Sequence, residues 1–134
     1  MPEDERTLLR VRGRTIQELF QNAVRGLAFF VSPSSVASPM AGKKVTQQVR
    51  AEAVDISSLL VEFLSHVLAE TDTRGVVFTA AAFRAFGENF LEGPLTGRSA
   101  DDLVTEIRAV SYADVDIKKN TDTGLFETTL VLEA

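Results

Sequence analysis

The stretch DISSLLVEFLSHVL, residues 55–68, decides the fold. Its apolar residues Ile56, Leu59, Leu60, Phe63, Leu64, Val67 and Leu68 return every three or four positions without a gap, as one stripe of an α-helix requires. Asp55 stands where a side-chain oxygen accepts an amide proton at a helix start. An amphipathic helix of about four turns draws its stability chiefly from burying such a stripe against other elements. This is therefore the main helix of the chain, laid across a sheet.

Upstream, Thr7 to Arg12 alternates: Thr7, Leu9 and Val11 on one face, Leu8, Arg10 and Arg12 on the other. That is a half-exposed strand, closed by Gly13. Thr15 with Glu18 three residues later has the pattern of a capping box. It opens a helix whose stripe is Ile16, Leu19, Phe20, Ala23, Leu27 and Phe30, with Gln17, Gln21, Asn22 and Arg25 facing water. Residues 32–42 hold two prolines and four serines and read as a flexible loop of poor order. From Lys43 to Ala53 a second strand turns Val45, Val49, Ala51 and Ala53 inward, with Gln47 spoiling one inward position.

Downstream, Asp72 to Gly75 reads as a turn and Val76 to Ala85 as a strand, although Thr79 to Ala85 also fits a helix. Glu88 to Pro94 is a short strand, and Gly97 and Ser99 make Thr96 to Ala100 a loop. Glu106 to Lys118 places Ile107, Ala109, Ser111, Ala113, Val115 and Ile117 on one strand face. Asn120 to Gly124 is a polar turn and Leu125 to Leu132 alternates again, so the two runs form a terminal hairpin. This order predicts one α+β domain over residues 1–134: a two-layer sandwich with two helices on one face of a mixed sheet of about six strands.

Composition narrows the function classes. Of 134 residues, 45% are apolar and 25% charged, the balance of an ordinary globular protein. The net charge of −5 opposes direct RNA binding, which rests mainly on Lys and Arg at phosphates. An acidic body suits docking on a basic protein, though solubility alone accounts for such a surplus. The absence of cysteine removes disulfides, thiolate metal sites and thiol nucleophiles. The first ten residues, MPEDERTLLR, are acidic where a secretory signal is basic, and no apolar run reaches the roughly 20 residues of a membrane span. A cytoplasmic protein that contacts no membrane is the expectation.

His66, the single histidine, lies on the main helix with Glu62 and Glu70 four residues to either side. With no second His and no Cys to complete a zinc or nucleophilic site, it reads as a surface residue in a helical ion pair. Asp101 with Asp102, and Asp114 with Asp116, are the carboxylate pairs able to help hold a hard cation; solvated acidic faces are the commoner use of such pairs. The scattered glycines write no phosphate-binding loop. Phenylalanines on helix stripes and strands point to core packing rather than base stacking.

Four segments, in order, resemble the archease family. They are Gly13-Arg14-Thr15 with Ile16 to Ala23; Leu59 to Leu68 with Asp72 to Phe78; Glu106-Ile107-Arg108-Ala109-Val110-Ser111-Tyr112, similar to that family's Glu-Val-Lys-Ala-Val-Thr-Tyr run; and the terminal Leu130-Val131-Leu132-Glu133-Ala134. The resemblance implies a non-catalytic activator or chaperone of the RNA ligase that joins tRNA halves, promoting its guanylylation and turnover. It also implies a metal held between an N-terminal motif and the C-terminal carboxylates.

The chain departs from the family at its ends. Arg6 occupies the place of the metal-binding Asp, seven residues before Gly13, and Glu3-Asp4-Glu5-Arg6 replaces a His-Thr-Ala-Asp motif. Ala113 stands where a His follows the Tyr, and Glu133 replaces an Asp. By this resemblance Glu133 and the α-carboxylate of Ala134 are the surviving oxygen donors, for calcium or magnesium if the site persists. In its place Arg6 would offset both carboxylates by a metal-independent salt bridge. The alternative reading is an archease-like interaction module that has lost metal binding and ligase activation.

Overall fold

The computed structural model describes residues 6–32, 42–100, 107, 109–112 and 115–133, with the side chain of Arg6 outside the description. In chain order the elements are β1 (Arg6–Gly13), α1 (Ile16–Val31), β2 (Lys44–Glu52), α2 (Ile56–Arg74), β3 (Val76–Ala81), β4 (Ala85–Phe86), β5 (Phe90–Ser99), β6 (Ala109–Val110), β7 (Lys118–Lys119) and β8 (Phe126–Glu133). The proline- and serine-rich segment 33–41 lies outside the described residues.

The two helices among the described residues start where their caps predict. Thr15 accepts from the Glu18 amide at 3.0 Å, while the Glu18 carboxylate reaches back to the Arg14 amide at 3.0 Å. Asp55 accepts from the Ser58 amide at 2.7 Å. The expected turn at residues 72–75 shrinks to one residue: α2 runs through Arg74, and Gly75 alone turns at φ 64°. This left-handed geometry, open to glycine without a Cβ penalty, ends the helix while the Gly75 amide still bonds Thr71 O at 2.9 Å.

The hydrogen bonds from Ser58 hold the Asp55 carboxyl below its ordinary value of 3.8. A carboxylate that binds protons more weakly in the folded chain stabilises the fold at pH above 3.8, and that contribution is lost as pH falls through the folded value. Asp55→Ala is therefore expected to flatten the acid limb of melting temperature against pH, measured from about pH 5 downward. An unchanged limb would contradict the cap's role.

The fold is α+β, and its strands divide differently from the single mixed sheet of about six strands expected. Two four-stranded sheets form, one ordered β1-β8-β6 with β7 also on β8, the other β2-β5-β3 with β4 also on β5. Every pairing among the described residues is antiparallel. Helix α1 packs on β1 of one sheet and β3 of the other, and α2 on β2, β3 and β6, so the helices join the two sheets. Between them the core holds Leu19, Phe20, Phe63, Leu91, Leu130 and Leu132, all fully buried. Two α1 side chains expected to face water bolt the helix down instead: Gln21 donates to Ala81 O at 3.0 Å and Asn22 to Arg12 O at 2.7 Å.

Three downstream expectations are corrected. The strand expected over Val76 to Ala85 forms, as β3, only as far as Ala81; its helical alternative does not form at Thr79 to Ala81, and a bulge at Phe78/Ala80 interrupts the pairing. The expected loop Thr96 to Ala100 is mostly the second half of β5, whose inward face reads Leu91, Gly93, Leu95, Gly97. A Cβ on Gly93 would lie 1.9 Å from Ala82 O, and one on Gly97 2.2 Å from Val77 O. The glycines therefore admit a close neighbouring strand rather than end their own. Finally, of the long strand expected over Glu106 to Lys118 the described residues show two short pieces, β6 and β7, both on β8. Ile107 and Val110 are buried and Ala109 exposed, a spacing of three that the alternating pattern did not contain. The hairpin turn stands as read, closed by Gly124 N to Asn120 O and Asn120 N to Leu125 O, each 2.7 Å.

Candidate functional site

The three segments that a terminal site needs meet on β8. Its residue Glu133 is opposite Arg6 of β1 on one side and opposite Ala109 of β6 on the other. One residue in, Leu132 is opposite Thr7 and Val110, and the Ser111 amide donates to Val131 O at 2.9 Å. The alternation of β8 decides which side chains face out: Thr128, Leu130 and Leu132 are buried, and Glu133 is half-buried at the end of the outward-facing row.

This junction is tied to the main helix by a contact that periodicity does not reveal. Tyr112, just beyond β6, donates its hydroxyl to Glu62 of α2. Ile107 and Ala109 line a hollow of about 280 Å³ with Ser65, Leu68, Ala69 and Asp72 of the same helix. Ile107, Ala109, Val110 and Tyr112 thus bridge α2 and β8. Its signal in the sequence is the chain's only tyrosine at the end of that run.

The hydrogen bond to Glu62, then partial burial and the Glu62 charge, push the Tyr112 phenol above its ordinary 10.0. A group that holds its proton more tightly in the folded chain stabilises the fold below pH 10, and that stability is lost as pH rises through the folded value. Because no other tyrosine is present, phenolate absorbance against pH reads this group alone. The expected midpoint lies above 10 in the native chain and returns toward it in Glu62→Ala; a native midpoint at or below 10 would contradict the contact.

His66 is exposed as expected, but its two flanking carboxylates are engaged elsewhere, Glu62 by Tyr112 and Glu70 by Arg74. Asp101, Asp102 and Asp114 lie outside the described residues, and Asp116 is paired with Lys118 at 3.2 Å. Of the implied metal donors, Glu133 sits at the junction and Ala134 lies outside the described residues. Among the described residues no three of His, Cys, Asp and Glu gather as a cation site. Among the described residues Glu133 is the single implied donor at the junction, whereas a divalent cation needs several oxygen ligands.

Two further hollows flank the β1–β8 pair. One of about 430 Å³ is lined by Arg10, Asp116, Lys118, Glu127, Thr128 and Thr129, with its charges largely matched by the Lys118–Asp116 pair and by Arg12–Glu127 at 3.7 Å. The other, about 550 Å³ and wide open, lies at the start of α1 between Ile16, Phe86 and Phe126. It adjoins Gly13-Arg14-Thr15, the first segment of the family resemblance.

The profile of the Archease protein family (MTH1598/TM1083) matches residues 7–132. The chain belongs to the archease family. Protein archease of Aeropyrum pernix is 30% identical over 121 residues, covering 80% of this chain and 77% of that protein. Among solved structures, an archease of Thermotoga maritima described as a possible chaperone superposes with a TM-score of 0.69 at 12% identity, over 100% of this chain and 96% of that one. The solution structure of protein 1598 of Methanobacterium thermoautotrophicum gives 0.66 at 18% identity, with the same coverage. At such identities the likeness is one of fold, and this archease shares it along its length. Among the described residues no helix is long and apolar enough to cross a membrane.

Proposed function

We propose that this archease is a non-catalytic chaperone and activator of an RNA ligase in tRNA splicing or RNA repair, raising the ligase's guanylylation and turnover. The observation that carries this reading is the junction on β8, where β1 and β6 flank Leu132 and Glu133 in register. The family resemblance assigns the activity to the chain ends, and β6 belongs to the run that resembles the family most specifically. The acidic net charge of −5 supports docking on a basic protein rather than on RNA itself. The test is capture of the cognate ligase by the tagged chain. Retention of ligase without RNA supports the reading, and loss of the ligase at every salt concentration counts against it.

The arginine at position 6 favours a second reading, an archease-fold interaction module without ligase activation. Arg6→Asp separates the two. Stimulation by the native chain removes the second reading, and stimulation gained only in the variant establishes it.

For the junction itself, we propose that a fixed cation takes the part of an ion, Arg6 offsetting Glu133, the residue opposite it on β8. Calcium or magnesium is then expected to leave the melting temperature unchanged, while Arg6→Ala lowers stability by up to about 1 kcal/mol. A metal-dependent rise of several degrees in the native chain would contradict this.

A further inference from the structure

With β1, strand β2 is one of two long, regular edges that the described residues leave open. It pairs with β5 alone, over nine consecutive residues without a register shift. Its hydrogen bonds to β5 come from odd-numbered residues: Lys43 O accepts from Ser99 N and Ala53 N donates to Asn89 O, each at 2.9 Å. Gln48 is opposite Pro94, which has no amide proton to give. By this alternation Lys44, Thr46, Gln48, Arg50 and Glu52 turn their amides and carbonyls away from β5. The same five side chains are exposed. At the centre, the Gln48 carbonyl accepts, among the described residues, a local bond from the Gln47 side chain at 3.3 Å.

An open edge invites another strand unless something guards it. The opposite edge of this sheet is broken by the β3 bulge and by the step from β3 to β4. Strand β1 guards itself by charge, since antiparallel pairing of two copies about Leu9 sets Arg6 opposite Arg12. Strand β2 is complementary to itself instead. Paired antiparallel about Gln48, two copies set Lys44 opposite Glu52, Thr46 opposite Arg50 and Gln48 opposite Gln48. On the other face Val45 meets Ala51 and Val49 meets Gln47. Shifting the register by two residues loses this, setting Lys44 opposite Arg50 in one direction. Within one chain Glu52 already pairs with Arg50 at 3.2 Å, so a lysine from the second copy would leave it between two cations.

We infer that this archease forms a symmetric homodimer by antiparallel β2–β2 pairing centred on Gln48, which joins two four-stranded sheets into one continuous sheet. Opposite charges facing each other across strands favour this register, and the outward amides and carbonyls supply its hydrogen bonds.

Sedimentation equilibrium of the full chain over a concentration series tests the dimer. Glu52→Lys and Lys44→Glu are each expected to weaken association about tenfold, because symmetry reverses the pair twice. The double variant Lys44→Glu/Glu52→Lys is expected to restore it to within about threefold of the native value. Gln48→Pro removes the central outward amide at a position where an edge strand tolerates proline; it is expected to be monomeric with an unchanged circular dichroism spectrum. A native chain that stays monomeric up to about 1 mM overturns the inference. So does a dimer whose affinity the charge exchange leaves unaltered.

Discussion

Phe20→Ala is expected to lower the free energy of unfolding by about 3–5 kcal/mol, the range for deleting a buried ring from a core that only partly collapses. The Phe20 ring has no exposed surface. It stacks on Phe63 of α2 at 5.8 Å and meets the edges of Phe83 at 6.5 Å and Phe86 at 5.0 Å. Each such pair adds to the area buried. The cluster joins both helices to the irregular link between β3 and β4, so its loss loosens three elements together. Urea denaturation measures the effect, and a loss below about 1 kcal/mol would show that this ring layer is not where the helices and that link are joined.

Gly97→Ala is expected to cost about 3 kcal/mol, the upper end of overpacking. The added methyl would sit 2.2 Å from Val77 O and 2.8 Å from the Phe78 Cα. Both are backbone atoms of β3, so no side chain can swing aside; relief requires β3 to part from β5. Gly87→Ala is the control. Its Cβ would find nothing nearer than 3.9 Å, and the change is expected to stay within about 0.5 kcal/mol. Equal effects of the two alanines in thermal melts would show that propensity, not the close strand approach, accounts for the result.

Those two sites mark where the sequence was legible and where it was not. Phe20 and Phe63 lie on helical stripes with recognisable caps at Thr15 and Asp55, and both helices begin there. Strands β1 and β2 were legible by alternation. Gly97 was not, because glycine punctuates a sequence locally, whereas here it answers to a neighbouring backbone that no local pattern records. The same holds for Val110: its burial follows from packing against α2 and β8 rather than from strand period.

The junction on β8 was legible in part. Resemblance to the family implied that Arg6 and the last residues belong together, and the β1–β8 register sets Arg6 opposite Glu133. Two features were not readable: Ala109 as the second neighbour of Glu133, and the Tyr112–Glu62 bond that ties this end of the sheet to α2. Both are long-range pairings. The physical consequence is that the end of β8, β6 and one face of α2 are held together.

The central claim, that this archease assists an RNA ligase without catalysing ligation itself, is tested most directly by multiple-turnover ligation with the cognate ligase in the presence and absence of the native chain. The account predicts no ligation by this chain alone, and with it more rounds per ligase together with a larger guanylylated fraction. Unchanged turnover and unchanged guanylylation across a saturating range of the chain would contradict it.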